Sequence, residues 1–537
     1  MSCASLELQF PSPRALELKG LSGSDAARME VELKLLLAPA DVAAFRRLAL
    51  LKQFAVSKPY SRKLRSTYFD TPALRLREHG MELRVRRAGR DWIETLKAGG
   101  HAMAGLHERQ EWEARVHGPQ PDLEALAARV VADSKWKKVL TAPGLARDLA
   151  PIFASAFRRT VWPLRLPQGA LVELSLDQGE LQQGNVREPI CEVEVELKSG
   201  DPVELFDFAL QLQDKLPLRV GNLSKSARGY ALHARQRLSS VKAGSVELAA
   251  GMTVEQGFRA IVTHCVAQMQ DNESGVMGSI DPESVHQMRI GMRRLASALR
   301  LFDKWMPLPK ALRGELDWLA GGLGAARNAD VLADSTLVRV AEACPTKAEL
   351  LPLLRTASTI ARAKRRQAAA LLGSVRYSRL ILGLVAWLRG SGWRQSLDDS
   401  ARKALAATLG KRVGKILAKQ HQKLLESGKR LGDDSPEERH HLRIAAKTTR
   451  YATEFFRRLR PAGRVKRYIK LLAALQDALG LLNDAAVADG LLRQLGKSHP
   501  ELADSADFVR GFLVGRTRDE VRELAGPWTQ FSAMKPP

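Results

Sequence analysis

Acidic, basic and apolar side chains alternate in a short stretch near the amino end of the chain. In Met-Glu-Val-Glu-Leu-Lys at 29–34, Glu30, Glu32 and Lys34 share one face of a predicted strand, and apolar residues occupy the other. On a single strand, a solvated face explains such charges. On several strands, carboxylates suit a divalent metal and cations suit phosphate oxygens. The sequence indicates a metal–phosphate site if one sheet unites these faces.

Similar alternating segments recur through the first half of the chain. Predicted strands cover residues 30–37, 82–87, 92–97, 109–116, 171–177 and 191–198, with further strand segments at 68–70 and 157–162. A short amphipathic helix is predicted at 40–51. In an antiparallel sheet that closes on itself, alternate residues of every strand line the interior. Charges enclosed in this way need a ligand or an opposite charge, because each costs several kcal/mol to bury alone.

Composition separates two predicted domains. The 537 residues are 45% apolar and 27% charged, with a formal net charge of +25 that points to an anionic partner. Residues 1–240 carry +7 and residues 241–537 carry +18, and the second part is rich in helix-forming Ala, Leu, Arg and Lys. A boundary is expected near 239–251. The first 28 residues show no periodicity, and we interpret them as an extension or a misassigned start.

Cysteine usage and hydropathy point to the cytoplasm. The four cysteines are far apart and form no Cys-x-x-Cys pair, so neither a disulfide framework nor a zinc site is indicated. We find no signal peptide and no uninterrupted apolar run long enough to span a bilayer. A membrane partner is therefore not expected.

The order of the charged motifs over residues 29–235 resembles that of the CYTH superfamily, the triphosphate tunnel metalloenzymes. Glu30-x-Glu32-x-Lys34 is similar to its ExExK signature, a weak match alone. The ordered set that follows is more specific: Tyr-Phe-Asp-Thr at 68–71, Leu-Arg-Val-Arg at 83–86, Glu-Thr-Leu-Lys at 94–97, Glu-Trp-Glu at 111–113, Arg159 before Trp162, Glu-Leu-Ser-Leu-Asp at 173–177, Glu-Val-Glu-Val-Glu at 192–196 and Ser-Lys-Ser-Ala-Arg-Gly at 224–229. The resemblance implies an α+β domain at 29–238 with a closed eight-stranded antiparallel tunnel that binds a triphosphate.

The resemblance also implies roles for individual residues. The catalytic residues would be Glu30, Glu32, Lys34 and Lys97. Phosphate oxygens would be held by Lys34, Arg84, Arg86, Lys97, Arg109, Arg159, Lys225 and Arg228. Mg²⁺ or Mn²⁺ would be bound or organised by Glu30, Glu32, Glu111, Glu113, Asp177, Glu192 and Glu194. Whether Arg158 or Arg159 faces the interior stays open.

Residues 241–537 contain an internal repeat. The motif His286-Gln-Met-Arg289 is echoed 154 residues later by His440-His-Leu-Arg443. Leu-Gly-Ala-Ala-Arg-Asn at 323–328 is echoed 156 residues later by Leu-Gly-Leu-Leu-Asn-Asp. These offsets predict an all-α domain of two pseudo-symmetric helical repeats.

Basic residues follow each repeated histidine at the spacing of one helix face. Such a row repels itself, so it is either well solvated or meets an anion. The repeat resembles the CHAD domain, a helical module found beside CYTH domains and linked to inorganic polyphosphate, over residues 245–530. It implies a polyphosphate site formed by His286, Arg289, Arg293, Arg294, His440, Arg443, Lys447 and Arg450. Lys447 and Thr448 stand where the first copy has two arginines.

Together these observations predict a metal-dependent enzyme that hydrolyses inorganic triphosphate to diphosphate and phosphate, with polyphosphate bound by the helical domain. Two alternatives stay open: a class IV-like adenylate cyclase, and a non-catalytic polyphosphate-binding adaptor. The basic half shows no aromatic stacking set and no familiar recognition motif, which argues against nucleic acid. The predicted location is cytoplasmic, with association with polyphosphate granules.

Overall fold

The computed structural model describes residues 28–132, 134–234, 240–278, 281–344, 347–429 and 436–537. Of the predicted amino-terminal extension, only Arg28 belongs to the described residues, and it begins the first strand. The chain divides into two compact units. Within the described residues, the first unit holds 28–234 together with Ser378–Gly390, and the second holds 240–377 and 391–537.

The first unit is built around one antiparallel sheet. Its strands are β1 (Arg28–Leu36), β2 (Tyr60–Asp70), β3 (Met81–Ala88), β4 (Asp91–Met103), β5 (Leu106–Val116), β6 (Ala150–Arg165), β7 (Leu171–Gln183), β8 (Val186–Ser199) and β9 (Arg219–Val220). Eight strands follow the order β5-β4-β3-β2-β6-β7-β8-β1, and β1 pairs with β5 to close the ring. The short β9 pairs beside β1. The predicted closed eight-stranded antiparallel sheet is confirmed.

Helices account for most of the remaining regular structure. The first unit contains α1 (Val42–Arg46), α2 (Ala49–Gln53), α3 (Arg75–Glu78), α4 (Leu123–Arg129), α5 (Lys135–Leu140), α6 (Leu145–Asp148), α7 (Val203–Gln213) and α8 (Lys225–Ala234). The later part of the chain contains α9 (Val254–Asp271), α10 (Glu273–Met277), α11 (Pro282–Phe302), α12 (Lys310–Val331), α13 (Leu337–Ala343), α14 (Leu351–Leu372), α15 (Val375–Gly390), α16 (Asp399–Ala406), α17 (Leu409–Gly428), α18 (Pro436–Phe455), α19 (Ala462–Ser498) and α20 (Ala503–Ser532). The predicted helical character of the second part is confirmed.

Apolar residues on the outer face of the sheet explain why the charges turn inward. Leu83 of β3, Leu96 of β4 and Trp112 of β5 are buried in one cluster with Leu126 of α4 and Leu140 of α5. Successive side chains of a strand point to opposite faces, so covering one face with helices leaves the other to line the closed sheet. The alternation in the sequence therefore fixes which side chains meet inside.

The turn between β4 and β5 holds β1 in place. Ala104 and Gly105 both have positive φ, 53° and 77°, which suits a two-residue hairpin turn. The Lys34 backbone N–H donates to the Gly105 carbonyl at 2.8 Å, and a Cβ on Gly105 would lie 2.6 Å from the Lys34 carbonyl oxygen. Only glycine permits this close approach, which fixes β1 next to the turn.

The single helix predicted at 40–51 is wrong. The structure has a 3₁₀ turn followed by α1 and α2, with Leu48 in an extended conformation between them. The break lets both Phe45 and Leu51 be buried. In one continuous helix these two side chains, six residues apart, would point about 120° away from each other around the axis.

In the second unit, both repeated motifs lie on helices in the same order. The His-x-x-Arg motifs are on α11 and α18, and the Leu-Gly motifs are on α12 and α19. A π-helical turn, Leu332–Thr336, connects α12 to α13. It begins at Leu332, which belongs to a buried apolar cluster with residues of α14 and α19.

Helix α19 is long and apolar enough to span a membrane, which differs from the expectation that no apolar run is long enough. An 18-residue window of α19 has a mean hydropathy of 1.3, and 28% of that window is buried. Residues 348–372 and 375–390 are long and apolar enough only as a bent pair. Leu472, Leu475 and Leu479 of α19 lie in a buried cluster with residues of α17 and α18.

Candidate functional site

Charged side chains of β1 are buried inside the closed sheet. Glu30, Glu32 and Lys34 are 8%, 8% and 4% exposed. The Lys34 Nζ lies 2.9 Å from Glu32 Oε1 and also pairs with Glu194 of the neighbouring strand β8. The registers place Glu30 opposite Arg109 and Lys34 opposite Glu194, so β1 contacts charged residues on both sides.

Three carboxylates predicted as metal ligands come together on β7 and β8. One oxygen each from Asp177, Glu192 and Glu194, called here the carboxylate trio, lies within 4.8 Å of the others, and all three residues are buried. Hard oxygens at this separation are the donor set that Mg²⁺ or Mn²⁺ prefers. The trio therefore fits a divalent metal, with Glu192 and Glu194 contributed by adjacent inward positions of one strand.

Cations from β6 and α8 neutralise the carboxylate trio. The Lys225 Nζ lies 2.7 Å from Asp177 Oδ2 and 2.8 Å from Glu194 Oε1, and it also pairs with Glu192. Arg159 donates from Nε and Nη2 to the two oxygens of Asp177 at 2.7 and 2.6 Å. Because the phase of β6 turns Arg159 inward and leaves Arg158 exposed, the question left open by the sequence is answered for Arg159.

Arg228 reaches the same group of charges from the next turn of α8. Its Nη1 lies 3.1 Å from Glu192 Oε2, and its Nε lies 2.6 Å from Glu188 Oε1. Glu188 is absent from the predicted site. It is on the same inward face of β8 as Glu192 and Glu194, so strand alternation was the available signal.

The remaining predicted ligands form a second group of charges. Lys97 pairs with Glu30 and lies 3.5 Å from Glu111 Oε1, and Arg84 lies 3.8 Å from the same oxygen. Glu113 instead accepts a hydrogen bond from the Thr95 hydroxyl at 3.0 Å. Among the described residues, the predicted metal ligands thus divide between the trio and this group.

Two residues outside the predicted site also lie in the interior. Glu82 accepts a hydrogen bond from Arg109 at 3.0 Å, which fixes that predicted phosphate contact. His107 lies opposite Glu32 in the register and is 2% exposed. Burial, followed by the charge of Lys34, lowers the pKa of His107 to about 4. Its position two residues before Arg109 on β5 was the sequence signal.

The charge of Lys34 separates the pKa values of the two glutamates on β1, because burial acts to raise both. Burial and the nearby Glu32 raise the pKa of Glu30 to about 8. Burial also acts to raise the pKa of Glu32, but the attraction of Lys34 outweighs it and lowers that pKa to about 2. Glu32 is therefore charged at neutral pH, whereas burial and the charge of Glu32 oppose ionisation of Glu30, which Lys97 contacts.

Within the described part of the chain, no ion pair joins Arg86 of β3 to an acidic side chain. Burial, followed by the charges of Arg84 and Arg159, lowers the pKa of Arg86 to about 9. Its described contact is a long hydrogen bond of 3.4 Å to the Ser66 hydroxyl. A cation that its surroundings disfavour is suited to meet an incoming anion.

The second unit places the two repeated motifs against each other. Arg289 and Arg293 of α11, Arg327 of α12, and Arg443 and Lys447 of α18 form what we call the basic cluster. In the described part of the chain, no ion pair joins Arg289, Arg293, Arg327 or Lys447 to an acidic residue.

The pKa values report how strongly these cations repel one another. Burial, then the charges of Arg293, Arg327 and Arg443, lower the pKa of Arg289 to about 10. Burial, then Arg293 and Arg443, lower the pKa of Lys447 to about 7. Both copies of the repeat therefore contribute to one positive region.

Residues of the Leu-Gly motifs contact the arginines of the His-x-x-Arg motifs. A Cβ on Gly324 would lie 2.5 Å from the Arg289 Nη1, so the guanidinium of Arg289 packs directly over Gly324. In the second copy, Arg443 donates to the Asn483 side chain at 2.7 Å. Each motif pair thus joins adjacent helices and orients one arginine.

Arg294, one of the predicted polyphosphate contacts, is not brought to the basic cluster. Arg294 is 4% exposed, lies 5.4 Å from the Phe455 ring centroid and donates to Gln268 at 3.1 Å. One residue of helix rotates it about 100° from Arg293, which turns it into the core. The expectation that it contacts an anion is therefore corrected.

The other predicted contacts of the second unit lie beside the basic cluster. Arg450 pairs with Glu454 at 2.8 Å and donates to Gln476 at 3.1 Å. Burial and Arg327 lower the pKa of His286 to about 4, which makes it neutral at pH 7. Burial and Arg443 also lower the pKa of His440, which is exposed.

Comparison with known proteins agrees with this division into two parts. The sequence profile of the CYTH domain matches residues 28–230, and that of the CHAD domain matches residues 260–493. An inorganic triphosphatase from Haemophilus influenzae is 31% identical over 211 residues, which are 39% of this chain and 56% of that protein. The chain thus spans about half the length of this curated relative.

The helical part also has a solved relative. The crystal structure of the CHAD domain from the plant Ricinus communis is 37% identical, with a TM-score of 0.51. The match covers 56% of this chain and 98% of that domain. The chain therefore belongs to the CHAD family, with its CHAD domain at residues 260–493, and its residues 28–230 match the CYTH domain.

Proposed function

We propose that the CYTH domain hydrolyses inorganic triphosphate to diphosphate and phosphate with Mg²⁺ or Mn²⁺. The observation that carries the proposal is the carboxylate trio, buried within 4.8 Å and contacted by Lys225 and Arg159. Hard oxygens beside buried cations suit a metal and a phosphate chain at once. The triphosphatase from Haemophilus influenzae supports the same reaction.

The chain's own residues would position the substrate and neutralise its charge, which is most of what phosphoryl transfer requires. Arg159, Lys225 and Arg228 would exchange carboxylate oxygens for phosphate oxygens, and Arg86 would gain an anionic partner. Asp177, Glu192 and Glu194 would hold the metal, which supplies charge neutralisation and activation of water when bound. Lys97 would keep Glu30 and Glu111 in position.

A substrate panel tests this proposal. The full chain is assayed for phosphate release from inorganic triphosphate, ATP and thiamine triphosphate, with Mg²⁺, with Mn²⁺ and with a chelator. We expect triphosphate to be preferred and the chelator to abolish turnover. Cyclic AMP from ATP at a comparable rate would instead favour the cyclase, and no turnover with either metal would favour the adaptor.

A pair of adjacent arginines provides a matched control. Arg159→Ala removes two hydrogen bonds to Asp177 from the interior, whereas Arg158→Ala changes an exposed residue of the same strand. We expect kcat/KM to fall at least about 100-fold for the first variant, as for loss of a charge-stabilising donor. The second should match the parent, and equal losses in both would refute the site.

We further propose that the CHAD domain binds inorganic polyphosphate at the basic cluster. The support is that its cations lower one another's pKa values, which an anion would reverse. Long polyphosphate should bind the full chain more weakly as salt rises. Arg293→Gln should reduce both affinity and salt dependence, and Arg300→Gln, an exposed change on the same helix, should not. Unchanged binding in Arg293→Gln would contradict the proposal. We also propose that the protein is located in the cytoplasm, at polyphosphate granules.

A further inference from the structure

A cavity of about 700 Å³ lies among α12, α14 and α19 of the second unit. Its walls include Leu332, Ala357, Ile360 and Leu491, which are aliphatic. The volume is within the range of small-molecule sites, which combine mostly apolar walls with a few polar groups. Of the basic cluster, Arg289 is the member that lines this space, and no residue proposed for the triphosphatase site lines it.

A few polar side chains converge on the cavity. The polar residues that line it are Arg289, Asn328, Lys364, Gln494, Ser498 and His499. Within the described residues, no hydrogen bond or ion pair engages the side chain of Arg289, Asn328 or Gln494. The guanidinium and the two carboxamides offer a positive charge together with several donors and acceptors, and Lys364 adds a second positive charge. The cavity is thus equipped for a ligand with an anionic end and a polar, planar body.

Arg289 connects the cavity to the basic cluster. Its guanidinium packs over Gly324, itself part of the cavity wall, and it shares a positive region with Arg293, Arg327 and Arg443. A phosphate chain on the basic cluster would therefore end beside the mouth of the cavity. An adjacent group of that chain would face the aliphatic walls.

An irregular turn borders the same space. The π-helical turn Leu332–Thr336 begins at a residue that lines the cavity. Such turns are rare, are less favourable than continuous α-helix, and often occur at functional sites. The turn is a second feature, independent of the cavity walls, that points to a ligand.

We propose that this cavity takes the base and ribose of a nucleoside polyphosphate whose phosphates lie on the basic cluster. A nucleobase matches the carboxamides of Asn328 and Gln494 by hydrogen bonds along its edge. An acyl chain offers no hydrogen-bonding group to the carboxamide of half-buried Asn328 or to that of exposed Gln494. The phosphate half of this inference rests on the proposed polyphosphate binding, and the base half rests on the cavity.

Photolabelling of the full chain tests the inference. The chain is irradiated with 8-azido-ATP in the presence of a chelator, which prevents turnover, and the labelled peptides are identified by mass spectrometry. We expect ATP-protected label on peptides of α12, α14 or α19. Ala325→Trp fills the cavity from an exposed position of α12 and should reduce this label at least about tenfold. Ala311→Trp, an exposed alanine of the same helix outside the cavity, should leave it intact.

Parallel retention of long polyphosphate on a filter separates the two proposals. Polyphosphate binding without label in the cavity would overturn this inference and leave the proposed function standing. Loss of both would overturn the two together. Label that dodecyl phosphate displaces and ATP does not would assign the cavity to an acyl chain, and would also overturn the inference.

Discussion

Substitution of Lys225 tests most directly how cations neutralise the carboxylate trio inside the tunnel. Its ammonium group contacts all three members of the carboxylate trio and is buried with them. Lys225→Met keeps a similar length and removes the charge. We expect this variant to lose stability without metal, to recover more of it with Mg²⁺ than the parent does, and to bind triphosphate more weakly.

The expected loss of stability follows from the carboxylates that lose the ammonium group of Lys225. Removing one partner of a buried ion pair costs about 3–5 kcal/mol. Arg159 and Arg228 still contact Asp177 and Glu192, so the lower end, about 3 kcal/mol, is expected. For a unit of this size, that lowers the unfolding temperature by about 6–12 °C. If Mg²⁺ no longer competes with Lys225 and binds about tenfold more tightly, saturating metal returns an additional ~1.4 kcal/mol.

Scanning calorimetry with chelator and with Mg²⁺ measures both changes. Lys63→Met removes an exposed lysine of β2 and is the matched control, with no expected shift. The transition of the CHAD unit should not move in either variant. A loss below about 2 °C in Lys225→Met, or a Mg²⁺ response no larger than that of the parent, would falsify the assignment of the trio as a metal site.

Three further predictions concern single residues. Arg86→Met should raise the unfolding temperature of the ligand-free chain, because burial disfavours the charge of the arginine. The same variant should lower kcat/KM for triphosphate, because a phosphate contact is lost. A lower unfolding temperature in calorimetry would contradict this prediction. Polyphosphate affinity should fall by up to about tenfold per pH unit above pH 7, because an anion favours the protonated form of Lys447, whose pKa in the free chain is about 7. Titrations from pH 6 to 9 should show a flatter profile for Lys447→Arg, and an unchanged slope would exclude Lys447 as its source. Gly324→Ala should weaken polyphosphate binding several-fold, because the added Cβ would lie 2.5 Å from the Arg289 Nη1. In the control Gly480→Ala, the added Cβ meets nothing within 4 Å and should stabilise its helix by about 1 kcal/mol. Equal effects of the two variants on polyphosphate binding would refute the packing argument.

The sequence predicts the tunnel best where polar and apolar residues alternate strictly. On β1 and β3 the predicted and observed strands nearly coincide, because alternation directly records which face is buried. Most of β2 and β6 is missed. Tyr60–Asp70 begins with a polar run, and Ala150–Arg165 has apolar residues on both faces near Phe157, so neither shows period two throughout.

The sequence does not predict which side chains contact one another inside the tunnel. Glu113 binds Thr95, and Arg109 binds Glu82, because of the registers of β3, β4 and β5, which depend on hairpin turns rather than on residue type. In the helical unit, the repeat predicts which helices carry the basic residues. Rotation about each helix then decides which of them leave the core, as Arg294 illustrates.

The mutual neutralisation of charges inside the tunnel has a thermodynamic consequence. In the structure, Lys225, Arg159 and Lys34 occupy the oxygens of Asp177 and Glu194. A divalent cation arriving alone would displace these cations and leave them unpaired, and an anion arriving alone would do the same to the carboxylates. When both arrive, each takes the partner that the other releases. The two ligands are then linked, so that each increases the affinity for the other by the same factor. Such a tunnel acts as an ion exchanger that selects the metal–phosphate complex over either ion.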